Sequence, residues 1–168
     1  MEKFDVIVIG TGSGSSVARR CAQAGKKTAI IDNQPFSGTC ALRGCDPKKV
    51  LVGIAHALSL NQQLQGKGIA TIATHSWKDA MQFKTTFTEP KIPKAEAGLK
   101  EAGIATYHGR AKFIAENTIQ VNENILHAEK FVIANGAAPT KLSIPGEDLL
   151  IDSTAFLELD ELPKDILL

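Results

Sequence analysis

No apolar run in this sequence approaches the roughly 18 residues that a membrane-spanning helix needs, although 43% of its 168 residues are apolar. Charge is nearly balanced: 19 basic against 18 acidic side chains leave +1, so nothing calls for a nucleic-acid backbone or an anionic membrane surface. The opening Met1-Glu2-Lys3-Phe4-Asp5 leaves no room for a signal peptide ahead of the first apolar stretch, and there is no internal repeat or low-complexity segment. Three cysteines, with no second Cys or Cys/His pair at zinc-finger spacing, make poor zinc ligands. His56 and His75 have no companion at metal-ligand spacing, and His108 and His127 lie in strand-forming sequence with no chemical role suggested. These absences predict a soluble, cytoplasmic protein without a metal centre or a membrane or nucleic-acid partner. In such a compartment a catalytic disulfide fits better than a lasting structural one. The length admits one domain with a real core, or one domain plus a fragment.

What is present begins with Phe4 to Ile9, a β-branched and nearly continuous apolar run, as a strand buried on both faces should be. It leads into Gly10-Thr11-Gly12-Ser13-Gly14-Ser15-Ser16, then a helical pattern through Val17, Ala18, Cys21 and Ala22 that stops at Gly25. A second strand, Lys27 to Ile31, ends in Asp32. Strand, Gly-rich turn, helix, strand and acid in this order make a dinucleotide-binding βαβ unit. Gly10 permits the tight turn and Gly12 lets the backbone approach a pyrophosphate at the helix N-terminus. The third small position permits close helix-to-strand packing; here Gly14 comes one residue earlier than the commonest spacing, with Ser15 at the usual third place. Asp32, about 20 residues after the turn, is placed to accept from a ribose hydroxyl. Cys21 reads as a small packing residue of the helix.

Two cysteines stand in Gly38-Thr39-Cys40-Ala41-Leu42-Arg43-Gly44-Cys45-Asp46-Pro47-Lys48-Lys49, ahead of an apolar stretch through Val50, Leu51, Ile54, Ala55 and Leu58 that predicts a helix running from Gly38. Residues five apart in an ideal helix have Cα atoms roughly 8.6 Å apart, whereas a disulfide needs them closer than about 7 Å. Bridging Cys40 and Cys45 therefore requires a distorted helix. Gly44 supplies backbone freedom, and Pro47 lacks the N–H that would bond the Arg43 carbonyl. A helix N-terminus with Arg43, Lys48 and Lys49 nearby also favours thiolate. A redox pair, two separate thiols and half a metal site all remain open on spacing alone.

Further on, Trp77 to Ala102 is helical in pattern but interrupted by Pro90 and Pro93, predicting two helices or one broken one. Short strands follow at 104–107, 109–114, 118–121, 125–128 and 130–134, with turns at Glu116-Asn117 and Asn122-Glu123-Asn124.

The βαβ unit and the Cys-x4-Cys stretch together resemble the flavoprotein pyridine nucleotide-disulfide oxidoreductases, the family of glutathione reductase, dihydrolipoamide dehydrogenase and mercuric reductase. The hallmark Gly-Gly-Thr-Cys-x-Asn-x-Gly-Cys-x-Pro-(Ser/Lys)-Lys stands here as residues 37–49, with Ser37 for a Gly, Leu42 for the Asn, and Arg43 and Asp46 for apolar residues. Phe131 to Pro139 is similar to the family strand that ends in Ala-Thr-Gly-x-x-Pro over the FAD pyrophosphate, with Asn135 for the Thr and Gly136 at the turn. Residues 144–154 resemble the segment that crosses toward a nicotinamide domain, and 162–168 the start of that domain's first strand.

The resemblance implies an α/β fold: a Rossmann-like FAD-binding domain whose parallel sheet has helices on one face and a small antiparallel β-meander on the other. Residues 1–145 would be the N-terminal segment of that domain and 146–168 the crossover, so the chain is expected to be an N-terminal fragment, inactive alone, of a homodimeric enzyme of cell redox homeostasis. Cys40 would attack the substrate disulfide and Cys45 would face the flavin. FAD would be held by Gly10, Gly12, Ser13, Gly14, Ser15, Asp32, Asn33, Gly38, Thr39, Ala111, Asn135 and Gly136. Either Lys48 or Lys49 would approach flavin N5, Lys48 being favoured, and stabilise the reduced anionic ring. NAD(P)H would be the reductant and a small-molecule or protein disulfide the oxidant. Two other readings stand beside this one: a flavoenzyme of the same fold reducing a quinone, metal ion or second nicotinamide, and a flavin-binding module without catalysis.

Overall fold

The apolar opening run forms β1 (Glu2–Ile9), followed in the computed structural model by α1 (Gly14–Gln23), β2 (Thr28–Asp32), α2 (Gly38–Arg43), α3 (Cys45–Gln63), α4 (Trp77–Thr88) and α5 (Lys91–Glu101). Then come β3 (Ala105–His108), β4 (Ala111–Ala115), β5 (Thr118–Val121), β6 (Asn124–Ile133) and the short α6 (Ser153–Phe156). The structure describes residues 1–167. They fall into two units, one of residues 1–40 with 90–139 and the other of 41–89 with the chain from 140 onward.

The first unit is built on a six-stranded sheet in the order β3-β2-β1-β6-β5-β4. β1 lies in its middle, parallel to β2 on one side and to β6 on the other, which is why its sequence is apolar at successive positions. β3 adds in parallel to β2, while β4, β5 and β6 form an antiparallel meander. Side-chain alternation then sorts the core into two layers. Ile7, Ala29 and Ile31 pack with Ile119, Val121, Leu126 and Ala128 of the meander. Val8 and Ile30 pack with Ala18 of α1 and Leu99 of α5. Helices on one face and the meander on the other are thus as expected.

Strand bounds shift by one or two residues from the sequence reading, and one division disappears. The separate strands expected at 125–128 and 130–134 are a single β6, paired with β1 from Leu126 opposite Glu2 to Ile133 opposite Ile9. Glu129 and Lys130 mark no break: both are exposed, and a strand with a wetted side carries charge without interruption.

The helix expected from Gly38 onward is two helices. The break falls at Gly44 (φ −145°, ψ −114°), a conformation open to a residue without a Cβ, and Pro47 sits in the first turn of α3, where a missing N–H costs no bond. The interruption expected around Pro90 ends α4 and starts α5. Ser76 caps α4 by accepting from the Asp79 N–H, and Asp152 caps α6 by accepting from Ala155 at 2.8 Å. α4 anchors the segment after α6: Trp77 Nε1 donates to the Leu159 carbonyl at 2.8 Å, and the buried Lys84 Nζ donates to that of Leu157 at 2.5 Å. No strand occurs at 162–167, and the last residue of the strand expected at 162–168 lies outside the described residues.

Candidate functional site

Three glycines of the first unit are fixed by the protein itself. Gly10 takes φ +107°, and a Cβ there would lie 2.1 Å from the Ala134 carbonyl oxygen. Gly14 starts α1 so close to β1 that a Cβ would meet Val8 Cγ1 at 2.7 Å, which makes it the glycine of close helix-to-strand packing. Gly38, at φ +77°, would place a Cβ 2.4 Å from Gly12 Cα. Gly12 is different. A Cβ on it would meet nothing nearer than Gly38 Cα at 3.9 Å, an ordinary contact, and the residue is exposed.

Gly12 precedes the N-terminus of α1, where Ser13 makes no side-chain capping bond and no acid stands in the first turn. The positive end of the helix dipole is therefore not neutralised locally. Ser15 Oγ donates back to the Thr11 carbonyl at 2.5 Å and Ser16 Oγ to that of Ser13 at 2.8 Å. Thr11, which the sequence reading passed over, is buried and ties the turn to β2: its N–H and Oγ1 donate to Asp32 Oδ2 at 2.7 and 2.6 Å. Asp32 Oδ1 accepts from the Gln34 N–H at 2.9 Å. A carboxylate has about four acceptor positions, so the fold leaves Asp32 roughly one.

Above these strand ends lies a cleft of about 510 Å³ lined by Gly10, Asp32, Asn33, Ala111 and Asn135 among the expected residues, and by Arg110, Gly109 and Ala138 beside them. Gly136, expected at a tight turn, takes φ +77°. Thr39 is exposed in the first turn of α2. His108 stacks on Phe36 with centroids 4.4 Å apart, and its Nε2 lies 3.0 Å from Glu96 Oε2. The side-chain bond from Lys100, helped by His108 and Thr106 and opposed by burial, holds the Glu96 carboxyl below its ordinary value. On the meander side, burial first, and then the hydrogen bond to Glu2, push the Tyr107 hydroxyl up to about 12.

The second unit contains a cavity of about 370 Å³ at the N-terminus of α3. Cys45, Lys48, Arg43 and Gly44 line it with Leu51 and Val52, facing Ser153, Phe156 and Leu157. Lys49 is exposed and is not in the lining, so Cys45 shares the cavity with Lys48. Cys21 is half-buried, whereas Cys40 in α2 and Cys45 are exposed. Sequence spacing located Cys45 and Lys48 but could not reveal the residues of the α6 segment, which reach this wall from more than 100 positions away.

The Pyridine nucleotide-disulphide oxidoreductase family profile matches residues 4–168. The chain belongs to that family. It is 34% identical to the glutathione reductase of Nostoc sp. strain PCC 7120, over 97% of this chain and 36% of that protein. It is 32% identical to the mercuric reductase of Bacillus cereus, over 96% of this chain and 26% of that one. Among solved structures, the Cu(II) complex of the HOCl-induced flavoprotein disulfide reductase RclA from Escherichia coli superposes with a TM-score of 0.79 at 29% identity, covering 97% of this chain and 36% of that one. This family member therefore spans about a third of the length of such relatives. The family's enzymes are oxidoreductases that use FAD and NAD(P)H. No described helix is long and apolar enough to cross a membrane.

Proposed function

We propose that the chain is the FAD-binding portion of an NAD(P)H-dependent disulfide oxidoreductase in which Cys40 and Cys45 are the redox pair. The observation that carries the flavin reading is the open space at Gly12. Protein atoms crowd the three neighbouring glycines, whereas a Cβ on Gly12 would meet nothing nearer than 3.9 Å, which supports a ligand approaching the backbone there. An exposed glycine before an uncapped helix N-terminus suits a pyrophosphate, and the cleft beside Asp32 suits the adenosine end. With one acceptor position remaining, Asp32 takes a single ribose hydroxyl. The backbone of Ala111 lies against the adenine, with Ser13, Ser15, Asn33, Gly38, Thr39, Asn135 and Gly136 completing the FAD contacts.

FAD, when bound, supplies two-electron transfer from a nicotinamide. The chain's own part is to hold charge and sulfur in place. Lys48, on the cavity wall with Cys45, is the cation beside the flavin ring, and Lys49 is a solvated helix residue. Cys40 attacks the disulfide substrate, forming a mixed disulfide and releasing one thiol, and Cys45 then displaces the second thiol to close the Cys40–Cys45 bridge. Residues 1–145 serve FAD and 146–168 cross toward a nicotinamide domain; a cytoplasmic homodimer acting on a small-molecule or protein disulfide completes the proposal.

The test is the visible spectrum of the FAD-loaded protein during partial reduction with dithionite. A long-wavelength band that disappears in Cys45→Ser and persists in Cys40→Ser is expected, because a thiolate against the ring gives charge transfer. A band insensitive to Cys45, or a protein that takes up no FAD, refutes the reading.

A further inference from the structure

The hallmark of this family has an apolar residue where this chain has Arg43, and Arg43 is half-buried in the wall of the Cys45 cavity. Among the described residues no carboxylate pairs with it, and none pairs with Lys48. Two cations thus share one cavity whose remaining side chains are the apolar Leu51, Val52, Phe156 and Leu157, the thiol of Cys45 and the hydroxyl of Ser153. A guanidinium held partly out of water and without a counter-ion is unfavourable unless something negative comes to meet it.

We propose that Arg43 is a second cation for the flavin ring, acting beside Lys48 to raise the reduction potential of the bound FAD. This rests on the assignment of the cavity to the flavin made above. Two electrons and one proton added to the ring leave it with one net negative charge. A cation facing that ring therefore stabilises the reduced form more than the oxidised one. Compared with a relative carrying an apolar residue at the same place, the flavin here is easier to reduce and a weaker reductant of its disulfide. Arg43 is then a residue that sets which acceptors lie within reach.

The experiment is a potentiometric titration of the FAD-loaded protein with dithionite and a reference dye, comparing the unaltered chain with Arg43→Met and Arg43→Lys. The Met variant should shift the balance toward oxidised flavin about tenfold, equivalent to roughly 30 mV for a two-electron couple, and Lys should restore most of it. If Arg43→Met does not fold, Arg43→Gln removes the same charge while keeping a polar group. Equal potentials in the unaltered, uncharged and Lys proteins would overturn the role of Arg43 while leaving the flavin assignment intact. Failure of the unaltered protein to take up FAD would overturn both.

Discussion

Ser37 stands at φ +134°, a region that a side chain rarely adopts, at the place where the family hallmark has glycine. Its hydroxyl recovers part of the cost by donating to the Lys91 carbonyl at 3.3 Å. Such a backbone costs on the order of 1–3 kcal/mol, and the long hydrogen bond is worth less, so Ser37→Gly should stabilise the protein by about 1 kcal/mol. Ser37→Ala, which keeps the strain and loses the bond, should destabilise it; urea unfolding of both variants decides, and the reverse order would show that the site is unstrained. Glu96 yields a second prediction at this scale. Its carboxyl is lowered from the usual 4.5, chiefly by the Lys100 side chain 2.8 Å away. A lowered native value gives stability that is present above the unfolded-state value and is lost as pH falls through the native one. Lys100→Met should therefore reduce the acid sensitivity of unfolding below about pH 4.5, and an unchanged stability curve would remove Lys100 as the cause. The substitution at 37 was legible in the sequence, but its strain was not, because φ depends on how the chain must turn between β2 and α2. The Glu96–Lys100 spacing was equally visible, yet the approach of His108 depends on β3 packing beside α5.

At the scale of elements, the sequence announced the strand–turn–helix–strand unit because each piece obeys local rules: β-branched residues in β1, glycines where backbones touch, and an acid at the end of β2. The helix break between the two cysteines was legible as distortion from Gly44 and Pro47, though its position, starting α3 at Cys45, needed the structure. The single β6 was missed because Glu129 and Lys130 interrupt an apolar pattern without interrupting the hydrogen bonding to β1. The anchoring of the α6 segment by α4 could not be read, since Lys84 looks like an ordinary surface lysine of a helix until it is found buried. Lys84 Nζ reaches the Leu157 carbonyl and lies 3.8 Å from Glu158 Oε1. Lys84→Met leaves that carbonyl without its donor, and should cost roughly 1 to 3 kcal/mol. Because Leu157 and Phe156 line the Cys45 cavity, the same variant should also speed alkylation of Cys45 relative to Cys40. Unfolding free energies and cysteine-specific labelling rates, measured together, check both; no change in either would mean that the lysine supports nothing.

For the molecule as a whole, a match along nearly the entire chain, at 34% identity to a glutathione reductase and a TM-score of 0.79 to a flavoprotein disulfide reductase, joins the two cysteines, the glycine turn and the meander into one family plan. The proposed FAD reading rests, above all, on Gly12 being open to the cofactor. The most direct measurement is a titration of the unaltered protein and Gly12→Ala with FAD, each accompanied by a thermal melt without ligand. The 3.9 Å clearance predicts nearly equal melting of the two proteins, with FAD affinity at least tenfold weaker in the variant. Equal affinity for FAD, or no binding by the unaltered protein, would contradict the account.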